Sequence, residues 1–359
     1  MSSVTVEYNS ITEPNINIME PLPPPTPRRR VLFLKTSTKP LSLMGPSYTL
    51  LLETLHKKGL EVEERIWYPS PGSLTPKDLT TAYHSITFLA CWDYNLHITE
   101  FHKFLDEVIT PIQKSGIKVV NPVELIRWNS NKIYLRDLQN DLGVIIPDTI
   151  FVDTTGGGSG SEIPGYQDVI LNHRGAIGSH GVVIKPSVSA SAKETHRIPD
   201  LNSKAYDPLK AQANWAQVYE YARSLCSSVR VMIQAFEPAI KNGEYSIIFL
   251  GGEYSHTILK RPVETDFRAV EEYGARIGEL ESSKVPKEGK EVGRRVIEYV
   301  RRRFGYGEDW KLGYLRLDGV VRDDGTFVVI EAEMLEPYVY LHVEGAKEGL
   351  ERFCEVLGG

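Results

Sequence analysis

Two runs near the end of the chain, Tyr314–Val321 and Phe327–Glu333, restrict its fold more than any other part of the sequence. Both are rich in β-branched and aromatic residues, which favour strands, and the segment between them contains Asp324-Gly325, a pair that favours a two-residue type I′ hairpin turn. With those two residues as the loop, Asp323 faces Thr326, and the register sets Asp318 opposite Glu331 and Arg316 opposite Glu333. Side chains alternate along a strand with a period of two, so all four groups share one face. Carboxylates facing each other across a sheet repel unless a cation lies between them, and Mg²⁺ is a hard ion that takes carboxylate oxygens. Taken alone, an acidic hairpin is more simply the solvated face of an edge strand. The metal reading needs a nucleotide site elsewhere in the chain.

At 359 residues there is room for two or three packed lobes. With 41 basic and 47 acidic residues the formal charge is -6, which argues against nonspecific nucleic-acid binding, since that rests on clustered Lys and Arg. Cys91, Cys226 and Cys354 are odd in number and widely spaced, so neither a disulfide framework nor a Cys-based zinc site is supported, and a reducing, cytoplasmic setting fits best. No apolar run reaches the roughly 18 residues of a membrane span. Residues 1–29 end in a Pro-rich tract with no apolar signal-peptide core, and are expected to form a disordered leader.

Periodicity predicts a strand over 31–35, a helix over 47–58 stopped by Gly59, and strands over 61–67 and 85–90. The last runs into Cys91-Trp92-Asp93-Tyr94, and Leu96, Phe101, Leu105, Val108 and Ile112 then recur at helical spacing. Polar residues at the end of a buried strand are where open α/β sheets bind ligands, which makes Asp93 and Tyr94 candidate substrate contacts. Pro122 is expected at the first position of a helix, and 131–142 as an amphipathic helix carrying Lys132 and ending at Gly143. Strands are expected at 149–152 and 182–186. The Gly/Ser tract 154–161 lacks the Lys-Ser/Thr ending of a phosphate loop and is expected to be a surface insertion. A helix over 208–226, strands over 230–236, 244–250 and 254–259, and a helix over 289–304 complete the pattern.

Lys185 interrupts an apolar strand, where a lone ammonium must find an anion or shift its pKa. A buried phosphate would suit it. Gln234 ends a strand whose backbone could read an adenine edge, and Glu244 could accept hydrogen bonds from ribose hydroxyls. Lys260 and His256 share a strand face by alternation, His256 being expected as structural.

In order along the chain, Asn131-Lys132, Ile184-Lys185-Pro186, Gln234 to Glu237, Gly243-Glu244, Arg268, Arg316-x-Asp318 and Glu331-x-Glu333 resemble the ATP-grasp superfamily over roughly residues 30 to 357. Cys91-Trp92-Asp93-Tyr94, Trp128-Asn129, the run from Lys185 to Ser191 and Glu331-x-Glu333-x-x-Glu336-Pro337 are most similar to its cycloserine-forming ligase branch. Bacterial glutathione synthetase is a more distant likeness, through Pro238-Ala239-Ile240-Lys241. The resemblance implies an α/β fold with α+β lobes: a Rossmann-like N-terminal lobe at 30–120, a central α/β lobe at 121–232 and a C-terminal antiparallel-sheet lobe at 233–359.

It also implies roles. Lys132 and Lys185 would hold ATP phosphates, with Ser187 and Ser189 donating from the loop that follows, which is Ser-rich where many relatives have a Gly-rich lid. Gln234, Ala235, Phe236 and Glu237 would contact adenine, and Glu244 the ribose. Asp318, Glu331 and Glu333 would hold Mg²⁺, two ions of it, with Mn²⁺ as a substitute. Arg268 and Arg316 would stabilise the phosphoryl group in transfer, and Asp93, Tyr94, Ser246 and Lys260 would lie near substrate. Glutathione synthetases carry Asn at the position matching Glu333. The implied reaction is ligation of a small carboxylate to an amine through an acyl phosphate, releasing ADP and phosphate, by a protein without nucleic-acid or membrane partners; a homodimer is compatible with it. Two other readings keep the fold: a small-molecule kinase, and a noncatalytic ATP-binding protein.

Overall fold

A computed structural model describes residues 29–36, 39–68, 79, 83–155, 163–173 and 180–359. The expected leader up to residue 28 and most of the Gly/Ser tract, residues 156–161, lie outside them. Among the described residues no helix is long and apolar enough to cross a membrane.

The first sheet contains β1 (Arg29–Lys35), β2 (Leu60–Ile66), β3 (Ser85–Ala90) and β4 (Lys118–Val120), in the order β2-β1-β3-β4. Every pair in it is parallel. The apolar runs of β1 and β3 are buried along most of their length, as strands covered on both faces require. Helix Pro46–Lys57 starts at a Pro, where the missing N–H costs nothing. The next helical stretch runs from Ile98–Phe104 through a π turn, Leu105–Ile109, to Thr110–Lys114. Phe101, Leu105 and Ile112 face the core as their spacing predicts, whereas Leu96 falls in the preceding 3-10 turn and is exposed.

The second sheet, β5-β8-β6-β7, is antiparallel and contains β5 (Thr149–Asp153), β6 (Val182–Pro186), β7 (His196–Ile198) and β8 (Arg230–Ala235). Helix Pro208–Leu225 buries Trp215 in the core it shares with β6 and β8; its N-terminus is capped by Asp207, whose carboxylate accepts from the N–H groups of Leu209 and Lys210. The third sheet, β11-β10-β9-β12-β13, contains β9 (Glu244–Leu250), β10 (Glu253–Arg261), β11 (Arg276–Glu279), β12 (Tyr314–Val321) and β13 (Phe327–Glu333). Helix Lys287–Arg303 lies on it through Val292, Val296 and Val300.

The hairpin β12–β13 pairs Arg316 with Glu333 and Asp318 with Glu331. The expected turn is corrected. Arg322, not Asp323, pairs with Thr326, its N–H donating to the Thr326 carbonyl, and Gly325 donates to Arg322 O from a left-handed φ of 88°. The loop therefore has three residues, the geometry in which Gly relieves the Cβ clash of a positive φ. A bulge compensates. Gly319 pairs with Val329 while Asp318 pairs with Glu331, leaving Ile330 as the extra residue.

Two further expectations shift by a residue or more. Pro122 is the N-cap of helix Val123–Asn129 and not its first residue, and Lys132 lies in the turn before helix Tyr134–Leu142 and not on it. Both shifts place side chains against β13, an edge strand whose outward backbone groups need partners. Asn129 donates to Ala332 O (2.7 Å) and accepts from Met334 N (2.6 Å), and Tyr134 Oη accepts from Ala332 N (2.9 Å). Asn121 adds bonds to Gly313 N, Tyr314 O and Met334 O. Helix Lys347–Gly358 returns to the first sheet and packs Leu350, Phe353 and Leu357 with Val31, Phe33, Leu51 and Leu55.

Candidate functional site

A cleft of about 780 Å³ lies between the second and third sheets and reaches the end of the first. Its floor is the face of the third sheet that carries Glu244 on β9, Lys260 on β10, Arg316 and Asp318 on β12, and on β13, past the bulge, Glu331 and Glu333. Without the extra residue, strict alternation would put Glu331 and Glu333 on the face of Phe327 and Val329, which are buried in the core.

Each carboxylate on this floor is held by a cation. Asp318 receives Arg316 Nε at 3.0 Å and Lys260 Nζ at 3.5 Å, together with the Ser246 hydroxyl. Burial opposes its charge, but Arg316, Lys260 and Ser246 outweigh that and hold its pKa below the usual range. Glu331 meets Lys132 Nζ at 3.0 Å, and Lys132 with Lys185 holds it low against burial. Glu333 meets Arg316 Nη2 at 2.5 Å, yet burial, reinforced by Glu331 and Asp318, pushes it up to about 7. Glu244 is ion-paired with Lys260, and burial raises its pKa against that pull.

Among the described residues no group of three or more His, Cys, Asp or Glu side chains could hold a metal ion by itself. Asp318, Glu331 and Glu333 do share the cleft face, as expected of residues that would hold Mg²⁺ together with ATP phosphates. Their oxygen chemistry still fits Mg²⁺, which is typically bound by one or two carboxylates with substrate phosphates and water completing the shell.

The roof comes from the second sheet. Lys185, on β6, is 9% exposed and has neither a hydrogen bond nor an ion pair among the described residues; burial pushes its ammonium down to about 8. Lys132 donates to Ser189 O at 2.6 Å, and its backbone N–H to Ser187 O. Ser189 lines the cleft, but Ser187 does not: its hydroxyl accepts from Arg230 N at 2.9 Å, stitching the loop to β8. Gln234, Ala235, Phe236 and Glu237 lie together at the end of β8 along one wall. The Gln234 amide donates to Thr149 Oγ1, and Glu237 is engaged by Arg322 at 2.7 Å. Arg197 lies 3.6 Å from the Phe236 ring centroid. Arg268 is held by Asp266 and lies 3.4 Å from the Tyr273 centroid, at the cleft edge.

Asp93 is not brought to the cleft. Its carboxylate accepts from Thr36 Oγ1 (2.7 Å) and Trp67 Nε1 (2.6 Å), closing the corner after β3. Tyr94 does line it. Ser246 is buried beneath Asp318. His256 bonds Val339 O at 3.0 Å, and burial lowers its pKa to about 4, a structural role. Sequence reasoning missed Trp92, Glu336, Tyr338, Tyr340 and His342 as cleft residues. Only Trp92 and Glu336 lay in quoted motifs; the others follow β13, where no strand periodicity extends.

No family model matches the chain. The cycloserine biosynthesis protein DcsG of Streptomyces lavendulae is 23% identical over 309 residues, covering 86% of this chain and 91% of DcsG. The crystal structure of D-cycloserine synthetase DcsG is similar at a TM-score of 0.67 and 19% identity, covering 92% of this chain and 98% of that one. An ATP-grasp RimK domain protein from Sphaerobacter thermophilus gives 0.59 at 16% identity, covering 92% and 100%. D-alanine–D-alanine ligase from Bacillus anthracis gives 0.59 at 14% identity, covering 92% and 95%.

Proposed function

Starting from the ATP-grasp fold that this chain has, we propose an ATP- and Mg²⁺-dependent ligase that joins a small amino-acid carboxylate to an amine through an acyl phosphate, releasing ADP and phosphate. The observation that carries this reading is the pair of buried lysines, 7% and 9% exposed, set above the Asp318, Glu331 and Glu333 floor, with the Lys185 ammonium in no ion pair among the described residues. Ligases making cycloserine and D-alanyl-D-alanine share the fold, which supports the amide-forming class.

In this reading Lys132 and Lys185 hold the phosphates, the Gln234 to Glu237 wall takes the adenine, and Glu244 takes the ribose on exchanging part of its contact with Lys260. Asp318, Glu331 and Glu333 would hold Mg²⁺, which supplies neutralisation of phosphate charge, with two ions proposed and Mn²⁺ as a substitute. Arg316, fixed by Asp318 and Glu333, stays positioned over the transferred phosphoryl group, and Arg268 closes from the edge. Phosphoryl transfer needs positioning and charge neutralisation more than a nucleophilic side chain. The lobe limits 30–120, 121–232 and 233–359, and a reducing cytoplasmic setting for the free thiols, belong to the same proposal.

The test incubates the protein with ATP, Mg²⁺ and pooled amino acids, following ADP release and product mass. Loss of one water from two joined components is expected; a phosphate retained in the product identifies a kinase and overturns ligation. Glu331→Gln should lower Mg²⁺-dependent ADP release by on the order of 100-fold. Unchanged release in that variant removes Glu331 from the metal site.

A further inference from the structure

A second cavity, of about 200 Å³, shares no lining residue with the cleft. It lies where β4 and the start of helix Val123–Asn129 meet residues 306–313, the connection into β12. Side-chain bonds fix its walls. Asn121 Oδ1 accepts from Gly313 N at 2.8 Å, and a Cβ on Gly313 would lie 2.3 Å from Val120 Cγ1, so the two sides touch there. Gln113 accepts from Val123 N and donates to Glu124, both at 2.9 Å. One flank is a ladder of rings: Phe304 meets Tyr306 at 5.9 Å, and Tyr306 stacks on Trp310 at 4.3 Å and 29°. Trp310 ends the ladder among the described residues, and it lines the cavity.

The polar groups beside that ring are uncommitted donors. Lys118, which opens β4, and Lys311 have neither a hydrogen bond nor an ion pair among the described residues, and the Trp310 indole N–H has no acceptor there. Burial and the charge of Lys311 both lower the Lys118 pKa, so the two ammonium groups repel each other. Glu124, the acid on this wall, is engaged by Gln113, and its charge acts on the Tyr306 hydroxyl. An isolated pair of exposed lysines is simply solvated. This pair borders a cavity held in shape by side-chain bonds and edged by a flat ring. A dianion relieves the repulsion, lysine binds phosphate oxygens as a point charge, and an aromatic group adds stacking. The geometry points to a second ligand site at Lys118, Lys311 and Trp310, taking the phosphate monoester of a small aromatic or heterocyclic compound. It goes beyond the ligase reading and does not depend on it.

The test is calorimetry with phenyl phosphate on the full chain, its cleft supplied with Mg²⁺ and a nonhydrolysable ATP analogue. Saturable binding is expected at about 1 mM or tighter. Inorganic phosphate and phenol, each carrying one half of the ligand, should bind at least about threefold more weakly. Lys118→Gln combined with Lys311→Gln should weaken phenyl phosphate by about tenfold, the scale of two exposed ion pairs, and Trp310→Leu by about threefold or more. Lys114→Gln, at an exposed lysine outside the cavity, should leave binding unchanged, and more of the ATP analogue should not displace the ligand. The site is overturned if the double lysine variant binds as tightly as the parent, if inorganic phosphate binds as tightly as phenyl phosphate, or if the ATP analogue displaces it. It is overturned too if nothing saturates below about 10 mM. Phenyl phosphate bound here by a protein that releases no ADP from ATP leaves this site standing and removes the ligase.

Discussion

Lys185 enters the cleft without an ion pair among the described residues, and its titration bears on what it is for. Burial lowers its pKa to about 8, against the pull of Glu331 and Glu244 and with the push of Lys132. In the absence of nucleotide, its charge is disfavoured by folding, so its contribution to stability improves as pH rises from about 8 towards the ordinary lysine value of 10.5. Phosphate reverses the preference, since it binds the protonated form. The dissociation constant for ATP should therefore rise above about pH 8 by up to about tenfold per pH unit. Lys185→Met should weaken binding by about 1.5–3 kcal/mol and abolish that rise, as measured by calorimetry across pH. A parent curve without the rise would remove Lys185 from the phosphates. The sequence made Lys185 legible because a charge inside an apolar strand has to be accounted for. It misled at Asp93, Ser187 and Ser246, which sit beside the right residues but turn their oxygens to Trp67, Arg230 and Asp318. Adjacency in the chain says nothing about which way a corner or loop side chain points.

Among the elements, the hairpin β12–β13 is the instructive one. Period-two alternation and an Asp-Gly pair gave the facing residues at its open end, but the three-residue loop and the bulge at Ile330 are two one-residue displacements that cancel there. The run from Phe327 to Ile330 is apolar throughout, so no change of face can be read from it. Gly319 faces the bulge, and a Cβ there would lie 2.4 Å from Phe327 Cζ and 2.7 Å from the Val328 carbonyl oxygen. The ring could rotate, but the backbone oxygen cannot. Gly319→Ala should lower stability by about 1–3 kcal/mol in denaturant unfolding, the usual cost of overpacking. A loss below about 0.5 kcal/mol, the range of ordinary surface changes, would mean the hairpin is not locked there.

At the scale of the molecule, the parallel first sheet and the antiparallel third follow from patterns in the sequence, because apolar strands separated by helices and paired runs separated by tight turns leave local marks. The docking of helix Lys347–Gly358 leaves none. Its partners lie far back in the chain: Ser85 Oγ donates to Leu357 O, and Arg29 Nη1 to Gly358 O. Phe353 is fully buried against the first sheet's core, so Phe353→Ala should cost about 3–5 kcal/mol, read by denaturant unfolding. A cost under about 1 kcal/mol would mean that the helix is an accessory and not part of that core.

That return has a consequence for synthesis. Domains generally fold as they emerge, N-terminal part first, at about 5–20 residues per second. Here the apolar side of β1 and of helix Pro46–Lys57 waits for residues 347–358, and at that rate the nascent first lobe stays uncovered for roughly 15–60 seconds. During translation it is a client for whatever shields greasy surfaces at the ribosome, and fusions that delay release of those residues lengthen the wait.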